Sequence, residues 1–141
     1  MKLTVELTSK QREKITFHYI FVKQAMDKLN HDVWIAKQEK NDPTELQKRI
    51  GVYLSYINGM QAVLLTFGWM LFDGSIIDAG LHRDTEEFGF MYDRRSKQSN
   101  TGDDYNQECA RAWIDGAISV IKHLPVKLVI IDGETNIQLT D

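Results

Sequence analysis

The side chains best equipped for chemistry crowd into one short stretch. His82-Arg83-Asp84-Thr85-Glu86-Glu87 is followed, across Phe88 and Phe90, by Tyr92-Asp93-Arg94-Arg95. Arginine offers planar, bidentate recognition of phosphate or carboxylate. The interleaved Phe88, Phe90 and Tyr92 have the shape to stack on a base or to seat a partner's side chain. Aromatics with arginine are also the composition enriched at protein–protein hot spots. Arg83, Glu86, Glu87, Phe90, Tyr92, Arg94 and Arg95 are therefore the candidate partner- or ligand-binding residues. The plainer reading is a solvated loop whose ion pairs neutralise one another and whose aromatics turn inward.

Other chemistries find less support. A helical, metal-dependent NTP hydrolase needs acids repeated at helical spacing on two helices. Asp84 and Glu87 make one such pair, Asp104 and Glu108 another with Asp103 beside them, and Glu45 stands alone. The set is incomplete, and solvated acids at helix starts account for it equally. His18, His31, His82 and His123 are scattered, none with a second histidine at ligand spacing. Cys109, the single cysteine, excludes an intrachain disulfide or a multi-cysteine metal site and reads as a small packed residue. GxxxxGKS/T, GxGxxG, GxSxG and HExxH are all absent. No catalytic residue, metal or cofactor is assigned.

The charge balance narrows the partners. A net charge of -3 in 141 residues argues against direct nucleic-acid binding, since bulk-charge binders are usually basic. One cysteine and a polar start, MKLTVELTSKQREK, with no apolar signal segment, fit a cytoplasmic setting. With two prolines, 43% hydrophobic residues and no linker, repeat or low-complexity tract, the chain reads as one domain over 1–141.

The elements that must hold these side chains follow from periodicity and capping. Lys2–Leu7 alternates apolar and polar, which predicts a short strand. Thr8…Gln11 is a capping-box signature opening a first helix to about Lys40, with Asn30-His31 as a place for a kink. Asn41-Asp42-Pro43 separates it from a second helix expected to reach Phe72. Phe72–Ser75 reads as a turn, Ile76–Asn100 gives only fragments of helical pattern, and Ser96–Asp104 reads as a loop. A last helix from Asp103 or Asp104 carries Ala110, Trp113, Ala117, Ile121 and Leu124 as its stripe and ends at Pro125. Val126–Ile131, Asp132-Gly133 and the alternation through Leu139 predict a β-hairpin. With the N-terminal strand it would form a small antiparallel sheet on a helical bundle. The fold class is thus mainly α (α+β): a long antiparallel helical hairpin plus further helices and a small antiparallel sheet.

Within the second helix, Gly51 to Phe72 contains no charged residue or histidine across 22 positions. Length alone permits a membrane span, but Asn58, Gln61, Ser55 and two tyrosines weigh against it. Gly51, Ser55, Gly59, Ala62 and Thr66 instead fall on one helical face, opposite Tyr53, Ile57, Met60, Leu64, Phe67 and Leu71. Small residues let another helix backbone approach closely. Gly51, Ser55, Asn58, Gly59 and Ala62 are therefore expected at a helix-packing or dimer seam, with Asn58 and Gln61 as interhelical glue to His18 or Tyr19.

The functional expectation is a non-enzymatic regulator or inhibitor that binds a protein partner, as a homo-oligomer such as a dimer. Accessory proteins of phages and other mobile elements fit that description, though no residue specifies the origin. The alternative is a nucleotide- or phosphometabolite-binding protein, or a metal-dependent NTP hydrolase, using the Arg83–Arg95 segment.

Overall fold

The computed structural model describes residues 1–140. Its order is α1 (Ser9–Gln38), α2 (Thr44–Thr66), β1 (Trp69–Phe72), β2 (Ser75–Asp78), α3 (Thr85–Gln98), α4 (Asp104–Ile121), β3 (Val126–Ile131) and β4 (Glu134–Leu139). The strands form two separate antiparallel hairpins, β1–β2 and β3–β4. The fold is α+β, mainly helical, as the periodicity implied.

Local chemistry sets the helix ends. Gln11 N–H donates to Thr8 Oγ1 at 3.1 Å, and Thr8 N–H donates to Gln11 Oε1 at 2.9 Å. This is a complete capping box. α1 then runs unbroken through Asn30-His31. Its buried residues Ile15, Val22 and Leu29 recur every seven positions, the spacing that keeps one seam against a neighbouring helix. That neighbour is α2. At the intervening loop Asp42 Oδ1 accepts the Thr44 N–H at 3.0 Å, satisfying an orphan donor at the α2 start.

α2 stops earlier than its lack of charge suggested. Gly68 takes φ +86°, the left-handed conformation that ends helices. A Cβ there would meet the His82 ring at 2.6 Å. The chain turns into β1, and Asp73-Gly74, both at positive φ, reverse it into β2. The uncharged run is therefore a helix followed by a strand. No described helix is long and apolar enough to cross a membrane.

The small-residue face of α2 is covered by α4. A Cβ on Gly59 would lie 1.9 Å from the Trp113 carbonyl oxygen, and one on Gly116 would lie 1.9 Å from that of Tyr56. The contact is reciprocal: on each helix a carbonyl and the glycine three residues later meet the same pair on the other. Met60, Val63, Ala117 and Val120 pack around this crossing, all buried.

Residues 1–8 form no strand, which corrects the expected three-stranded sheet. Leu3, Val5 and Leu7 do turn toward the core, but side chains take up the backbone groups of this segment. Trp69 Nε1–H donates to Val5 O at 2.8 Å, and His82 Nδ1 lies 3.1 Å from Leu3 O. α3 replaces the undefined segment and extends through Ser96–Gln98, so the loop before α4 is confined to Ser99–Asp103. Phe88 sits at its centre, fully buried and 5.9 Å from the Trp113 ring.

Candidate protein-binding face

The face begins with one glycine and one carboxylate on α3. A Cβ on Gly89 would lie 1.8 Å from the Thr135 carbonyl oxygen, so only a glycine lets β4 lie this close. One turn later Asp93 accepts the Thr135 N–H at 2.8 Å, and its other oxygen accepts the Thr135 hydroxyl. These contacts fix the β3–β4 hairpin against α3. They also set the neighbours of Phe90, which shares its helical face with Glu86 and Asp93.

A cavity of about 540 Å³ lies between the two elements, lined by Glu86, Phe90, Asp93, Ile131, Glu134 and Asn136 among others. Phe90 is 72% exposed and Ile131 43%. Asp132 also lines it. Asp93 is committed to Thr135, and Glu86 lies 3.3 Å from the N-terminal ammonium, leaving Asp132 and Glu134 to set a negative rim. An exposed phenylalanine within such a rim suits an apolar side chain flanked by lysine or arginine.

The seven residues singled out in the sequence divide among three surroundings. Glu86 and Phe90 reach this face. Tyr92 is half-buried against Phe88, at 6.2 Å between rings. Burial, with Asp93 and Asp115 behind it, pushes the Tyr92 phenol above its ordinary range, so it stays neutral. Arg95 turns the other way, its guanidinium 5.7 Å from the Trp113 ring centroid and 2.9 Å from Gln98 Oε1. Glu87 and Arg94 point to solvent, and Arg83 precedes the helix with its N–H donating to Leu65 O at 3.0 Å. The three arginines therefore do not converge on one ligand. Arg95 alone lines a second cavity, of about 410 Å³, with Ser55, Gln98, Asn106 and Cys109.

The residues expected at a seam also separate. Gly59 and Ala62 are buried on the α4 side. The space beside Gly51 is taken by the Tyr105 hydroxyl. Ser55 donates its hydroxyl to Gly51 O at 3.1 Å, while Asn58 is exposed. Gln61 bonds neither His18 nor Tyr19: its amide bridges Leu71, accepting the N–H at 2.7 Å and donating to the carbonyl at 3.3 Å. The glue between α1 and α2 is instead His18 Nε2 with the Tyr56 hydroxyl, at 2.6 Å. Among the described residues no three His, Cys, Asp or Glu side chains converge as metal ligands.

Sequence reading passed over the outer face of α1. Phe17 and Phe21 are each 72% exposed there. Their i, i+4 spacing was legible; what set them apart from the buried stripe was a rotation of about half a turn of helix. No protein family, curated protein or solved structure matches the chain.

Proposed function

We propose that this chain is a non-enzymatic, cytoplasmic regulator that acts by binding another protein through α3 and the β3–β4 hairpin. An inhibitor that occupies its target's surface is the simplest form of that role. One observation carries the reading: Phe90 stands 72% exposed beside a cavity shared with Ile131, within an acidic rim. Burying a phenylalanine is worth about 1.5–3 kcal/mol, which is what a partner covering Phe90 would gain from that side chain. The matching partner segment carries an apolar side chain with basic neighbours. Purified protein bearing Phe90→Ser or Glu134→Lys serves as bait beside wild type in extracts of the native host. A partner held by wild type and lost from both variants supports the reading. Equal capture by all three, or by none, removes this face from the interface.

A second reading rests on the Arg95 cavity. No carboxylate lies within ion-pair distance of its guanidinium among the described residues, and its polar lining suits a small anion. Thermal shift with inorganic phosphate, nucleotides and carboxylates, compared in Arg95→Gln, tests it. A shift lost in the variant supports anion binding there; no shift with any of them excludes it.

A further inference from the structure

Each hairpin presents two strand edges, and on three of the four a side chain takes at least one outward backbone group. Residues flanking a two-residue turn form a hydrogen-bonded pair, and bonded and non-bonded pairs then alternate along the ladder. The registers Leu71↔Ile76, Ile130↔Thr135 and Leu128↔Ile137 are therefore non-bonded. Their N–H and C=O groups point away from the paired strand. On β1, the Gln61 amide takes both outward groups of Leu71. On β2, Arg12 donates to Ile76 O at 3.4 Å. On β4, Asp93 takes the Thr135 N–H and Asn136 Oδ1 takes the Ile137 N–H. On β3, no described residue bonds the outward groups of Val126, Leu128 or Ile130. Among the described residues no other strand lies beside it.

β3 is also apolar at five of its six positions, Val-Lys-Leu-Val-Ile-Ile, with Ile130 70% exposed. Proteins normally blunt such an edge with charge, proline or a covering element. β3 has Lys127 within it and Pro125 just before it, but no described side chain takes its outward backbone groups.

We propose that the β3 edge pairs antiparallel with β3 of a second copy, joining two hairpins into one four-stranded sheet. The sequence is self-complementary in one register. Only residues with outward groups can bond across the new edge, so even-numbered positions must face even-numbered positions. Centring the pair on Leu128 uses all three: Val126 faces Ile130 of the second copy, Leu128 faces Leu128, and Ile130 faces Val126. Lys127 then faces Val129. A shift toward the strand start opposes the two lysines, and a shift toward the turn loses a bonded pair. The exposed Ile130 gains an apolar neighbour, and the edge closes on itself by two-fold symmetry. This inference stands independently of the Phe90 face.

Six-residue strands bury less than the ~1,200 Å² of a stable interface, so the dimer is a weak one that forms as concentration rises. Sedimentation velocity from about 5 µM to about 1 mM should show reversible dimerisation of the wild type. Ile130→Pro removes an outward N–H in each copy without touching the β3–β4 ladder, and should weaken association about tenfold or more. Ile130→Lys places a charge at the edge and should do the same, which covers the case in which the proline variant fails to fold. Hydrogen exchange supplies the residue-level readout. The Leu128 and Ile130 amides should slow with rising concentration, while Val129 and Ile131 are slow throughout. Wild-type protein that stays monomeric at every concentration overturns the proposal. So does a dimer that persists unchanged in both variants, or exchange at Leu128 and Ile130 that ignores concentration.

Discussion

Gly59→Ala puts the closest helix contact in this molecule to a test of sign. In an open helix the change should stabilise by about 0.5–1 kcal/mol, because alanine has the better propensity and a less flexible unfolded chain. Here the new methyl carbon would lie 1.9 Å from the Trp113 carbonyl oxygen, more than an ångström inside the 3.0 Å that real Cβ contacts respect. The obstacle is backbone, so no rotamer relieves it, and α2 and α4 must move apart. A gap of 0.5–1 Å forfeits about a quarter to a half of each dispersion contact. The contacts at risk belong to Met60, Val63, Trp113, Ala117 and Val120, which are all buried. Overpacking of this kind costs about 1–3 kcal/mol, which exceeds the propensity gain, so the net change is destabilising by about 1–2 kcal/mol. Gly116→Ala, facing Tyr56 O at 1.9 Å, should behave alike. The double variant should cost less than the sum, because the first methyl has already parted the helices. Gly51→Ala is the control: its methyl would meet only the Tyr105 hydroxyl end, which can swing aside. Urea denaturation followed by far-ultraviolet circular dichroism gives the free energies of all four variants. A Gly59→Ala protein as stable as Gly51→Ala, or more stable than wild type, would refute the close approach of α2 and α4.

Three further outcomes follow from single contacts. Gln61→Leu strands the outward N–H and C=O of Leu71, a buried residue; a loss of about 1–3 kcal/mol by urea denaturation is expected, and no loss would mean those groups are otherwise satisfied. Asp93→Ala frees Thr135 and should loosen the β3–β4 hairpin, read as faster amide exchange at Thr135 and Ile137, while Phe90→Ser leaves stability within about 0.5 kcal/mol of wild type. Burial, followed by Lys122, holds the His18 imidazole below its ordinary range; burial, then Lys122, Lys14 and His18, does the same for His123. Both take up protons more readily when unfolded, so the fold loses stability as pH falls below about 6.5. The thermal midpoint should drop between about pH 7.5 and 5.5, less so in His18→Gln/His123→Gln; an equal slope in both proteins would contradict this.

Much of the fold was legible because its signals are local. The capping box at Thr8, the punctuation at Asp42-Pro43, the stripe of α4 and the Asp-Gly turn before β4 each depend on residues a few positions apart. The β1–β2 hairpin carried the same Asp-Gly signature at 73–74, but the charge-free run masked it, since burial and helicity look alike in composition. The N-terminal alternation was read as a strand because periodicity reports which side chains face inward. It does not report what takes the backbone groups, here Trp69 and His82. The site was half legible for a related reason. Composition gathered Phe90 and Glu86 with the arginines, but only helical phase sends Arg95 to Trp113 and Phe90 to the hairpin. The acids of the turn, Asp132 and Glu134, join the face through Gly89 and Asp93, a tertiary contact between distant segments that no short window contains.

The central claim is that α3 and the β3–β4 hairpin form the partner-binding face. A photo-crosslinking phenylalanine analogue at position 90, expressed in the native host, addresses it most directly, with Gln24 on the outer face of α1 as the comparison site. The account predicts a discrete protein adduct from position 90 that disappears when Glu134→Lys is added, and none of the same mass from position 24. No adduct at position 90, or the same adducts from both positions, would contradict it.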